Sequence, residues 1–75
     1  MDYLAIGICY EHEGFCGSRD APGDDPQRVA DFMAVEFDMD MDEILLVAVQ
    51  DGFPTVIHSW RAGEHYSRSG AEAAQ

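Results

Sequence analysis

Residues 3–10 read YLAIGICY, with Leu4, Ile6, Ile8 and Tyr10 on one side of the alternation and Tyr3, Ala5, Gly7 and Cys9 on the other. A period of two is that of a pleated strand, so a first strand is predicted here. Residues 11–25 hold Gly14, Gly17, Pro22 and Gly23 among polar neighbours. That density of breakers predicts a long loop, anchored to the core by Phe15. Beyond it the period changes, because Val29, Phe32, Met33 and Phe37 recur at helical spacing. Pro26 suits a first helical position, and Asp24 or Asp25 is a natural N-cap. A helix is therefore predicted over residues 26–37, with Gln27, Arg28, Asp31 and Asp38 on its wet side. Glu36 turns toward the apolar side, which calls for snorkelling, a cationic partner or an early helix end.

Residues 38–43 read DMDMDE, a loop too charged to pack, and residues 44–50 are then apolar at almost every position. A run of that kind suits a short central strand covered on both faces. Asp51 and Gly52 form a hairpin-turn signal, and residues 54–60 return as the last strand with Pro54 confined to its start. From Arg61 onward small and polar residues dominate, so residues 60–75 are expected to end as a flexible tail. The predicted order is β-α-β-β, an α+β domain with a three-stranded sheet and one helix packed on one face. A right-handed crossover would set the first strand parallel to the second. The second face would then present the small residues of the first strand with Val47 and Val49, for a homodimer or another protein to cover.

A chain of 75 residues supports one hydrophobic core and one domain, residues 1–75. Its 47% apolar content separates it from disordered acidic chains. Met1 and Asp2 supply no positive n-region, and the longest apolar run, residues 44–49, is far below the roughly 20 residues that span a bilayer. A cytoplasmic protein without membrane insertion is expected.

Charge changes this picture most. Four arginines, no lysine and fifteen acids give a net charge of −11. Such a molecule repels phosphate backbones and anionic membranes, which argues against direct nucleic-acid binding. The candidate chemistry is thin. Cys9, His12 and Cys16 with His58 or His65 are zinc-ligand types, but their spacings fit no finger or ribbon, so no metal and no cofactor is expected. Cys9 and Cys16 either close a small disulfide loop or, as a cytosolic chain favours, stay as free thiols. The alternation Asp38, Asp40, Asp42 starts like a calcium loop, yet Glu43 stands where the sixth-position glycine belongs and Val49 at the twelfth position. A strongly negative field opposes thiolate formation at either cysteine, and no glycine-rich phosphate loop is present. No catalytic residue is assigned, and a non-enzymatic protein is expected.

The informative constellation is acidic. From Asp20 to Glu43 nine carboxylates face Arg28 alone, a net −8 over 24 residues. A helix of twelve residues is about 18 Å long, and duplex DNA carries one charge per roughly 1.7 Å, so the two charge densities are of the same order. Asp24, Asp25, Asp31, Asp38, Asp40, Asp42 and Glu43 are the candidate partner-binding residues. Their expected partner is a basic nucleic-acid-binding protein, approached by long-range steering. Trp60 and Tyr66 would add an aromatic anchor, unless Trp60 sits in the core. The small size, the lack of lysine and the stretch DDPQRVADFMAVEFDMDMDE resemble the small acidic inhibitors of phages and mobile elements, including DNA-mimicking anti-CRISPR proteins. The resemblance is one of composition over about a third of the chain, and it implies an inhibitor that stands in for DNA. The alternatives are a small salt-adapted dimerising domain, since acidic surfaces also arise from adaptation to high salt, and, after it, a Cys/His metal-binding protein.

Overall fold

The computed structural model describes residues 2–68. Its elements are β1 (Asp2–Cys9), a 3-10 turn (Tyr10–His12), β2 (Gly14–Asp20), α1 (Pro26–Phe37), β3 (Glu43–Gln50) and β4 (Phe53–Arg61). The four strands form one antiparallel sheet in the order β2-β1-β3-β4.

This corrects the β-α-β-β order and the three-stranded sheet in two respects. The breaker-rich segment 11–25 is not a loop throughout, because it contains β2, which pairs with β1 as a hairpin. That hairpin reverses the chain before α1, so β1 meets β3 antiparallel rather than parallel. The strand was hidden for a physical reason. β2 is an edge strand with little apolar alternation, and Gly17 is required by a close approach rather than by a turn. A Cβ at Gly17 would lie 2.4 Å from the Phe37 ring of α1. Glycine in a strand often marks such an approach.

The helix itself follows from its residues. Asp25 caps it by accepting a hydrogen bond from the Arg28 N–H at 3.0 Å, and Pro26 occupies its first turn. Asp38 closes it in the left-handed region at φ 54°, with its N–H donating to Ala34 O. Val29, Ala30 and Met33 are its buried stripe.

The covered face of the sheet is also the reverse of the expected one. α1 lies over Ala5, Gly7 and Cys9, while Leu4, Ile6 and Ile8 point to the open side. Small residues admit the helix closely: a Cβ at Gly7 would meet Met41 Sδ at 2.3 Å and Met33 Cε at 3.2 Å. The core between helix and sheet holds Ala5, Cys9, Val29, Ala30, Met33, Met41, Ile44, Leu46, Trp60 and Tyr66.

Residues 62–68, within the stretch expected as a tail, fold back over this core. Gly63 N–H donates to Tyr66 O, the Tyr66 hydroxyl donates to Met41 O at 2.7 Å, and Ser67 exchanges two hydrogen bonds with the Gln27 side chain. Residues 69–75 lie outside the described part.

Candidate functional site

The capped helix sets out its carboxylates by simple geometry. Asp31 lies on the side of α1 opposite the buried stripe, and Asp38, seven residues further on, closes the helix in the left-handed region. Asp24 and Asp25 stand at the N-terminal end of the helix, where the Asp25 carboxylate is turned to the Arg28 N–H as the cap, and all four are exposed. Asp31 accepts a hydrogen bond from Gln27 Nε2 at 2.9 Å. Arg28 lies among them and makes no ion pair with the described residues.

The remaining predicted site residues are placed differently. Asp40 is half-buried at the rim of a cleft of about 440 Å³ that Cys9, Tyr10, Met39 and Asp42 also line. Asp42 is tied on three sides: Arg68 pairs with it, Tyr10 N–H donates to it at 2.8 Å, and its own N–H donates to Ile8 O. Glu43 pairs with Arg61 at 3.4 Å and accepts the Tyr10 hydroxyl at 2.7 Å. That hydrogen bond, ahead of other causes, raises the Tyr10 phenol above its ordinary ionisation range. Asp42 and Glu43 thus hold loops and strands together, and of the predicted site residues Asp24, Asp25, Asp31 and Asp38 are the exposed ones, on α1 and at its two ends.

Glu36 resolves toward a cationic partner, with Arg19 Nε at 3.3 Å from its carboxylate, and the same guanidinium lies 4.5 Å over the Phe37 ring. Three of the four arginines therefore join one segment to another. The proposed aromatic anchor is corrected: Trp60 and Tyr66 are both buried, at 6% and 5% exposure. Burial, followed by the neighbouring Asp42 charge, pushes the Tyr66 phenol above the ordinary tyrosine range.

No family model, no curated protein and no solved structure matches the chain.

The free-thiol reading is corrected as well. Cys9 and Cys16 form a disulfide between β1 and β2, with their Cα atoms 5.9 Å apart. A bulge makes it possible: Gly7 faces Gly17 and Ile8 faces Phe15, so Cys16 is the extra residue and turns toward Cys9. Sequence spacing had no means of showing the bulge. His58 stacks on Trp60 at 5.5 Å, and His65 Nδ1 accepts the Arg61 N–H, which sets both imidazoles to structural contacts on β4 and the segment after it. The His12 side chain lies outside the described part. Among the described residues no three histidine, cysteine or acidic side chains come together as a metal cage, and no helix is long and apolar enough to cross a membrane.

A second surface was only partly foreseen. The open face of the sheet carries Leu4, Ile6, Ile8, Leu45, Val47, Val49 and Val56, and no described element lies over it. Its middle row runs Leu4, Val47, Val56, and Val47 is shielded by these neighbours to 2% exposure. Charges stand only toward the ends, with Asp2 and Asp20 at one and Glu43 paired to Arg61 at the other.

Proposed function

We propose that this chain is a non-enzymatic inhibitor that occupies the basic surface of a nucleic-acid-handling protein, in the manner implied by its resemblance to DNA-mimicking anti-CRISPR proteins. The observation that carries the reading is that Asp31 on α1, Asp24 and Asp25 before it and Asp38 at its close are all exposed, with Arg28 as the one cation among them. The surface is narrower than the acid-rich stretch suggests, since Asp42 and Glu43 are engaged in ion pairs. The helix and its two caps fix Asp25, Asp31 and Asp38 before binding, which lowers the ordering cost of association. A basic partner captured at low ionic strength should bind more weakly as salt rises. Asp31→Asn with Asp38→Asn should weaken binding and flatten that salt dependence, whereas Glu64→Gln, on an exposed turn, should change neither much. Equal effects from both sets would refute a helix-borne site.

The open aliphatic face favours a second reading, a homodimer. Two copies of a chain with net charge −11 repel each other broadly, and the centre of this face is where the described side chains carry no charge. Sedimentation at low and high salt separates the readings, because a dimer closed by Leu4, Ile6 and Leu45 persists or tightens as salt screens repulsion. A Leu45→Asp variant should then sediment as a monomer. If the parent is already monomeric at high micromolar concentration, this reading is wrong.

A further inference from the structure

Four sulfur atoms meet where β1, β2 and the loop after α1 come together. Cys9 Sγ lies 3.5 Å from Met39 Sδ and 3.5 Å from Met41 Sδ, and Cys16 Sγ lies 3.9 Å from Met39 Sδ. The bond between the two cysteines completes the cluster. Disulfide sulfurs carry no proton, so these approaches are contacts rather than hydrogen bonds. We propose that the reduced chain binds one soft monovalent cation of the Cu(I) type through the Cys9 and Cys16 thiolates and the Met39 and Met41 thioethers.

Geometry comes first. Four sulfurs placed tetrahedrally at a metal–sulfur distance of about 2.3 Å stand roughly 3.7 Å from one another. The three separations between cysteine and methionine sulfurs already lie on either side of that value. The cysteine pair has to part to reach it, which reduction of its bond permits. The backbone supports the arrangement on one side: Gly7 leaves the space that Met41 Sδ fills, since a Cβ there would lie 2.3 Å from that atom.

Chemistry then selects the ion. Thiolate and thioether donors together favour Cu(I), whereas a site for zinc uses thiolate, imidazole or carboxylate. Cys9 and Met41 are buried, at 3% and 1% exposure, and Met39 and Cys16 are half-buried, so the site excludes most water yet remains reachable. Access is by two clefts that share Met39, one reaching Cys9 beside Glu11, Asp40 and the Asp42–Arg68 pair, the other reaching Cys16 between Phe15 and Phe37.

The oxidised and loaded states exclude each other. A dithiol gives two electrons and two protons to the Cys9–Cys16 bond, which breaks to two thiols, and the dithiol becomes its own disulfide. The incoming cation displaces both thiol protons and leaves a site of net charge −1. Reoxidation of the two cysteines would expel the ion.

The full chain, reduced with dithiothreitol and freed of it under anaerobic conditions, is titrated with Cu(I) as its acetonitrile complex against bicinchoninate. One equivalent should bind, X-ray absorption should show a sulfur-only shell, and the oxidised chain should bind at least about tenfold more weakly. Met39→Leu with Met41→Leu keeps volume and apolarity, and circular dichroism checks that it folds. That variant should lose at least about tenfold in Cu(I) affinity while keeping both cysteines. Unchanged affinity in it, equal binding by the oxidised chain, or oxygen and nitrogen in the metal shell would each overturn the proposal.

Discussion

The two hairpins of the sheet reach the same pairing by different routes. β3–β4 is written locally: an almost unbroken aliphatic strand, then Asp51 and Gly52 at φ 52° and 80°, a turn whose two central residues both have positive φ. β1–β2 is held from outside. Its return strand is polar and glycine-bearing, and it is fixed by the Cys9–Cys16 bond, by Phe37 against Gly17 and by Arg19 reaching Glu36 and Phe37. One strand pair depends on its own residues and the other on what packs against it.

Substitutions can break that contrast. The largest effect is expected from Leu46→Ala in β3, fully buried under the helix, at about 2–5 kcal/mol in urea unfolding. Loss of the whole fold, rather than of one hairpin, should follow, since β3 is central. Gly17→Val should cost about 1–3 kcal/mol by forcing Phe37 away, with amide exchange rising first in β2. Were exchange to rise equally in β3 and β4, the hairpins would not be separable. Cys16→Ser should cost about 2 kcal/mol, and it should shift β2 more than β4. Gly52→Ala places a side chain at φ 80° and should cost about 1 kcal/mol, felt mainly by β4.

The alkaline limb sharpens the contrast with the folded-back segment 62–68. Tyr66 in the folded chain holds its proton above the ordinary value of 10.0, because burial opposes the phenolate. The unfolded chain gives up that proton first. Stability from this group is therefore fully present below about pH 10 and declines as pH rises beyond it. Tyrosinate absorbance should show one phenol titrating last and together with loss of fold, and Tyr66→Phe should remove that step. A last phenol that persists in Tyr66→Phe would assign the step to Tyr3 or Tyr10 instead.

Legibility in the sequence follows the same division. The helix could be placed from Pro26 to Phe37 because its cap, its proline and its apolar spacing are all local signals. β4 could be placed because its turn is local too. β2 could not, since what makes it a strand is Phe37, twenty residues further on, and a cysteine displaced by a bulge. The choice of covered face went the other way for a related reason. Apolar bulk in Leu4, Ile6 and Ile8 suggested the core side, but close helix packing selected the smaller Ala5 and Gly7. Among the acids, Asp24, Asp25, Asp31 and Asp38 are exposed as the pattern suggested. The engagement of Asp42 and Glu43 depends on Arg68 and Arg61, whose return to that end only the fold determines.

The space above Gly7 has one more consequence. A peroxide that converted Met41 to its sulfoxide would set a polar oxygen into a gap already filled by the bare sulfur, with a strand backbone behind it. Met39, nearer the surface, would take the first such damage and shield its neighbour, so chemical ageing of this protein should begin at residue 39 and become irreparable to the fold at residue 41.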